Sequence, residues 1–249
     1  MDRKPSYVVL GATGGIGAEL CRCLKATGAD VTGAGRNPDR VRELADVLGI
    51  RSFVLDATNF EQVAACVADA QQAFGPIDGI ANCVGSLLLK PAHMTSEADW
   101  HAVLAANLTT AFAAVGAGAK AMMKTGGSIV LVSSAAARVG LANHEAIAAA
   151  KAGIVGLVLS AAATYAEHGI RVNCVAPGLV QTPLTQRLTA NEASRKTSLA
   201  MHPLGRLGEP GDVAGAIAWL LDRKQSWITG QVIGVDGGLA TVQNRPRKT

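Results

Sequence analysis

Aromatic residues are scarce in this chain. Four Phe, three Trp and two Tyr leave any core to be built from smaller aliphatic side chains. An excess of one charge is lacking too: 23 basic and 19 acidic residues give a net charge of +4. Three of the basic side chains, Arg245, Arg247 and Lys248, stand at the very end, so the body is nearly neutral. That excludes nucleic acid as the main partner, because neutralising phosphates needs a concentrated basic face. The tail reads as a solvated, frayed end. No Cys-x-x-Cys pair occurs, and His93, His101, His168 and His202 show no Cys or carboxylate at ligand spacing, so no metal is expected. The five cysteines are odd in number and lie mostly in apolar stretches, which suits small core residues in a reducing compartment. No signal-peptide apolar region follows Met1-Asp2-Arg3-Lys4-Pro5. No run approaches the ~20 apolar residues that span a membrane. A soluble, cytoplasmic protein with no membrane partner is the expectation.

What is present is a long alternation. With 49% hydrophobic residues over 249 positions, a sizeable core can form. Short β-branched runs over 7–10, 30–33, 52–55, 79–82, 128–133, 171–175 and 231–235 alternate with Ala/Leu-rich segments. Helices are expected over 15–27, 38–48, 59–74, 97–124, 143–167 and 210–222. Strand alternating with helix implies crossover connections, hence a parallel sheet covered on both faces. No repeat or linker divides it, so 1–249 reads as a single domain with its core at about 6–240 and a basic tail at 241–249. Residues 176–209 read as one long irregular stretch, a length usually reserved for lids and binding loops. Trp100, Trp219 and Trp227 read as core or subunit-interface residues.

The first strand runs into Gly11-Ala12-Thr13-Gly14-Gly15-Ile16-Gly17 and then a helix. Glycines at 11, 15 and 17 allow a sharp turn that presents backbone N–H groups and a helix N-terminus to a pyrophosphate. Strand before and helix after is the context such a turn needs.

This Gly-x-x-x-Gly-x-Gly spacing resembles the short-chain dehydrogenase/reductase family, its 3-oxoacyl-carrier-protein-reductase-like members in particular. Further landmarks follow in order over about residues 6–240: Asp56; Asn82-Cys83-Val84-Gly85; Asn107; Pro177-Gly178 with Thr182; and Gly230 with Val235-Asp236-Gly237-Gly238. The resemblance implies a Rossmann-type doubly wound parallel sheet of seven strands, order 3-2-1-4-5-6-7. It also implies a homotetramer, with a dimer as the alternative, assembled through 97–124, 143–167 and the C-terminal strand. Implied cofactor contacts come from Gly11, Thr13, Gly14, Gly15, Ile16 and Gly17, and from Arg36, Asn37, Asp56 and Ala57. Asn82, Val84, Gly85, Lys151, Pro177, Gly178, Val180 and Thr182 complete them.

Cofactor choice turns on the end of the second strand. Gly35 stands where an NAD-type member carries an acid, and Arg36 follows. A guanidinium there can clamp a 2′-phosphate, so NADP(H) is expected over NAD(H).

The family's reaction moves a hydride while a Tyr transfers the proton. A Lys four residues later lowers the Tyr pKa and holds the ribose; a Ser polarises the substrate oxygen; an Asn supports a relay water. Lys151, Ser134 and Asn107 match three of these roles, with Ser133 the alternative for the second. The Tyr position is Ile147, which cannot transfer a proton. His144 shares a helical face with 147 and 151; a neutral imidazole behind an Asn143 cap is one candidate substitute donor, water is the other, and an exposed first-turn His with no role is the competing reading. Two readings remain: an atypical NADP(H)-dependent oxidoreductase acting on a small molecule, or a catalytically silent NADP(H)-binding protein.

Overall fold

Strand positions in this chain carry apolar side chains on both sides. In the computed structural model, which describes residues 3–243, that pattern produces a sheet buried on both faces. Strands β1 (Ser6–Leu10), β4 (Gly79–Asn82) and β6 (Ile170–Pro177) are buried at every residue. The others are β2 (Asp30–Gly35), β3 (Arg51–Val54), β5 (Gly127–Val132) and β7 (Val232–Val235). All pairings are parallel, in the order β3-β2-β1-β4-β5-β6-β7. The two edge strands, β3 and β7, are partly exposed, as an edge must be.

The period-2 alternation of strand side chains divides the core. Val8, Leu10, Ile80, Ile129, Leu131 and Val172 face one layer, with α3 (Phe60–Phe74), α5 (Thr110–Met122) and α6 (Glu145–Tyr165). Tyr7, Val9, Val31, Ala81, Val130 and Val175 face the other, with α1 (Gly15–Ala26) and α9 (Pro210–Leu221). Each fully buried Leu, Ile or Val adds about 1.5–3 kcal/mol to folding. Helix α2 (Pro38–Leu48) is capped by Asn37 and closed by left-handed Gly49. Chain direction across the sheet reverses between β1 and β4, which opens a crevice at the strands' carboxyl ends.

Four expectations need correcting. The 97–124 helix is interrupted: α4 (Glu97–Leu104) passes through a π turn at Ala105–Thr109 before α5. The irregular stretch 176–209 holds α7 (Gln186–Ala190) and α8 (Glu192–Met201); neither buries a residue, so no apolar stripe marks them. Two segments, Glu97–Met122 and Glu145–His168, are in fact long and apolar enough to cross a membrane, yet about half of each apolar window is packed inside the fold. Of the two alternatives given for the Trp residues, core is excluded and subunit interface is left: Trp100 and Trp219 are exposed, and Trp227 is 98% exposed. The tail with Arg245, Arg247 and Lys248 lies outside the described residues.

Candidate active site

The crevice floor is the turn from β1 into α1. Gly11 adopts φ +75, where L side chains are strained. A side chain at Gly17 would run into the Gly11 carbonyl oxygen. Gly14 caps α1 without a side-chain bond, and no acid stands in the first turn. The orphan N–H groups and the positive helix end therefore remain available to an anion. Thr182 covers this end, its Cγ2 2.9 Å from where a Cβ on Gly15 would lie. Thr185 holds Thr182 in place: its hydroxyl accepts the Thr182 N–H at 3.1 Å and donates to the Val180 carbonyl at 2.5 Å.

One wall is the end of β2. Arg36 is exposed and makes no side-chain hydrogen bond to any described residue, while Val41 and Thr13 crowd the Cβ position of Gly35 at 3.1 and 3.2 Å. Asn37 is occupied otherwise, accepting the Arg40 N–H at 3.0 Å as the α2 cap. Asp56 accepts the N–H and hydroxyl of Thr58, which hold its carboxyl below the usual range, with a smaller contribution from Arg36. Sequence reasoning missed Arg40, whose guanidinium donates to the Thr13 carbonyl at 2.8 Å and ties α2 to the turn. Its only signal was a helix-surface Arg one turn past the cap.

Opposite lies the polar cluster. Lys151 is 7% exposed and donates from Nζ to the Val132 carbonyl at 2.8 Å. Burial pulls its pKa from 10.5 to about 8. A Cβ on Gly85 would stand 3.0 Å from Asn107 Oδ1 and 3.5 Å from Lys151 Nζ, so the three meet at one point. Asn107 sits in the π turn, a device often found at functional sites. Its Nδ2 donates to Ser86 Oγ and the Val103 carbonyl, and its Oδ1 accepts the Ser86 N–H. Asn82 steadies that turn by donating to Thr110 Oγ1 at 3.1 Å and accepting the Val84 N–H.

The two serines differ in their partners. Ser133 is buried and donates to the Lys151 backbone carbonyl at 2.9 Å, a structural duty. Ser134 accepts only the Ala136 N–H at 3.1 Å, leaving its own proton to donate. It follows Val132, which holds the Lys151 ammonium, by two residues.

Position 147 offers no polar atom. Ile147 is 3% exposed and clusters with Val103, Ala146 and Ala150, against which Leu88 and Leu104 pack. Tyr7 is buried in the sheet core and Tyr165 packs at the far end of α6, so no described phenol reaches the cleft. Two expectations about His144 change. Asn143, at φ +63, is not the cap; His144 itself occupies that position ahead of Glu145. Its Nδ1 lies 2.7 Å from the Ala142 carbonyl, and a carbonyl only accepts. Neutral His144 therefore carries its proton on Nδ1 and a lone pair on Nε2, so that nitrogen accepts rather than donates.

Other chemistries find less support. Burial pushes Cys21, Cys66, Cys83 and Cys174 up to about 12, so none is a thiolate nucleophile near neutrality. His101 does stand 3.5 Å from Glu97, but among the described residues no third donor joins them.

A glycine turn on a helix N-terminus and, at the same sheet end, buried Lys151 and Asn107 with the partly buried Ser134 define a Rossmann-type dinucleotide protein. Comparison with known proteins makes the class specific. A family model described as Enoyl-(Acyl carrier protein) reductase matches residues 11–240. The chain is 41% identical over 243 residues to the cis-4-hydroxycyclohexanecarboxylate dehydrogenase of Sinomonas cyclohexanicum, covering 94% of this chain and 96% of that protein. It is 36% identical over 242 residues to the 3-oxoacyl-[acyl-carrier-protein] reductase FabG of Thermotoga maritima, covering 93% and 96%. A short-chain dehydrogenase/reductase structure from Mycobacterium ulcerans superposes with a TM-score of 0.92 at 30% identity, over 96% of this chain and 91% of that one. The chain belongs to the short-chain dehydrogenase/reductase family of oxidoreductases.

Proposed function

We propose that the protein is an NADP(H)-dependent oxidoreductase that acts on a carbonyl or hydroxyl group of a small molecule, in a site where Ile147 replaces the expected Tyr. The convergence of Lys151 Nζ, Asn107 Oδ1 and Gly85, beside a Ser134 free to donate, carries this reading. A protein that only bound dinucleotide would need the Lys but not the Ser.

A bound nicotinamide would supply or accept the hydride. Gly11–Gly17 and the α1 N-terminus would hold the pyrophosphate, and Arg36 would meet the 2′-phosphate. Lys151, mostly protonated at neutral pH, keeps two N–H groups for the ribose hydroxyls while Val132 takes the third. Ser134 donates to the substrate oxygen. Neutral His144, with its lone pair on Nε2, suits removal of an alcohol proton. Ketone reduction would draw its proton from the imidazolium or from water. The second reading, a silent NADP(H)-binding protein, draws its support from the sealed apolar cluster at Ile147.

Calorimetric titration is expected to show NADPH binding more tightly than NADH. Arg36→Ala should weaken NADPH by about 10–100-fold, the worth of a charge-assisted bond, and leave NADH unchanged. Equal affinities in the parent protein would remove the cofactor assignment.

Assembly is proposed as a homotetramer. Phe112 on α5 and Leu159 on α6 are each 55% exposed, apolar side chains left on two long helices. Light scattering should give a mass of four chains; a monomer at micromolar concentration would contradict it.

A further inference from the structure

His202 is 3% exposed and belongs to neither the glycine turn nor the Lys–Asn–Ser group. It follows α8, and both ring nitrogens are engaged. Nδ1 donates to the Ser198 carbonyl, in the last turn of α8, at 2.6 Å. Nε2 accepts the Leu179 N–H at 3.2 Å. The ring presses so closely on the β6 exit that a Cβ on Gly178 would lie 2.5 Å from Nε2. A single side chain thus joins α8, whose residues are all partly or fully exposed, to the segment after β6.

The link continues. Leu179 and Gln181 bracket Gly208 through backbone bonds. The Val180 carbonyl accepts from Thr185, which fixes Thr182 over Gly15. A continuous run of hydrogen bonds and contacts therefore leads from α8, through His202, to the end of α1. The cavity of about 330 Å³ beside His202 is also lined by Arg206, Asp212 and Asp236. Arg206 and Asp212 pair with each other, and Asp236 accepts backbone N–H groups, so these groups are satisfied without a ligand.

We infer that His202 is a positioning residue that couples the order of α8 to the Gly178–Thr182 segment, and so sets how long a dinucleotide stays bound. The residence-time part rests on the dinucleotide reading above; the coupling itself does not. Without the ring, the Leu179 N–H and the Ser198 carbonyl lose partners together. A glutamine can replace both bonds, its amide oxygen accepting and its amide nitrogen donating.

Hydrogen exchange without cofactor tests the coupling. In His202→Leu, amides of 178–182 and 192–201 should exchange about tenfold faster together, the loss of one buried hydrogen bond; His202→Gln should stay near the parent. His202→Asn, polar but too short to span both partners, should behave as the leucine variant and serves if that variant does not fold. In stopped flow, NADPH should leave the Leu or Asn variant about tenfold faster, raising KM for the dinucleotide while kcat at saturation holds. Acceleration confined to α8, or Leu and Asn variants indistinguishable from Gln, would overturn the proposal. A parent that binds no NADPH would remove the dinucleotide reading, and the exchange comparison would then decide the coupling alone.

Discussion

Lys151→Met is expected to yield a protein that is more stable at pH 7 and almost inactive. The ammonium is buried, and its pKa falls from 10.5 to about 8. A depressed Lys pKa means that the folded state binds its proton more weakly than the unfolded chain does. Below pH 8 the fold therefore bears the cost of a buried cation. Between about 8 and 10.5 the folded state has released that proton and the unfolded state has not, so the cost fades. A shift of this size corresponds to roughly 3 kcal/mol. Methionine fills similar volume without charge, so urea unfolding should favour the variant at pH 7 by up to about that amount, less the lost bond to Val132. By pH 10 the advantage should largely disappear. Activity should fall by ~10²–10⁴, and dinucleotide affinity should fall with it. A destabilised variant with intact turnover would mean that Lys151 is a structural cation.

Ile147→Tyr should have the opposite effect on turnover. A phenol one helical turn from Lys151 stands where the ammonium lowers its pKa. Ketone reduction should then rise by ~10²-fold or more if general acid catalysis is the missing contribution. The gain has a steric cost, because Ile147 belongs to a closed cluster with Val103, Ala146 and Ala150. Overpacking such a cluster typically costs about 1–3 kcal/mol, so the variant should melt lower. Leu88 packs against the cluster from a partly buried position, so Ile147→Tyr with Leu88→Ala should recover some stability and keep the activity. If neither variant reduces any ketone while both bind NADPH, the silent-binder reading stands.

The sequence made the sheet legible because its strands are buried on both faces, and buried strands read as β-branched runs between turns. Order and glycine turn followed from spacing and family resemblance. Features that depend on geometry without a composition signal were not legible. Helices α7 and α8 bury nothing, so periodicity could not mark them, although Asn191 accepting the Ser194 N–H is an ordinary cap. The π turn at Asn107 comes from one changed hydrogen-bond register within an apolar helix. Ser133 and Ser134 are neighbours of one type, and only the Lys151 carbonyl on Ser133 tells them apart. The start of α6 was misplaced because Asn143 looks like a cap but takes a left-handed conformation, which Asn tolerates better than most residues. The Ala142 carbonyl that engages His144 Nδ1 is a backbone contact with no sequence signal at all.

The central claim is hydride transfer without the Tyr, and single-turnover fluorescence tests it most directly. The parent protein, loaded with NADP⁺, is mixed with a panel of secondary alcohols and, loaded with NADPH, with the matching ketones. The account predicts that nicotinamide fluorescence appears with at least one alcohol or disappears with at least one ketone. Lys151→Met should abolish the signal, and His144→Ala should slow the alcohol direction by ~10² or more. Tight NADPH binding with no change in fluorescence on any alcohol or ketone would contradict it.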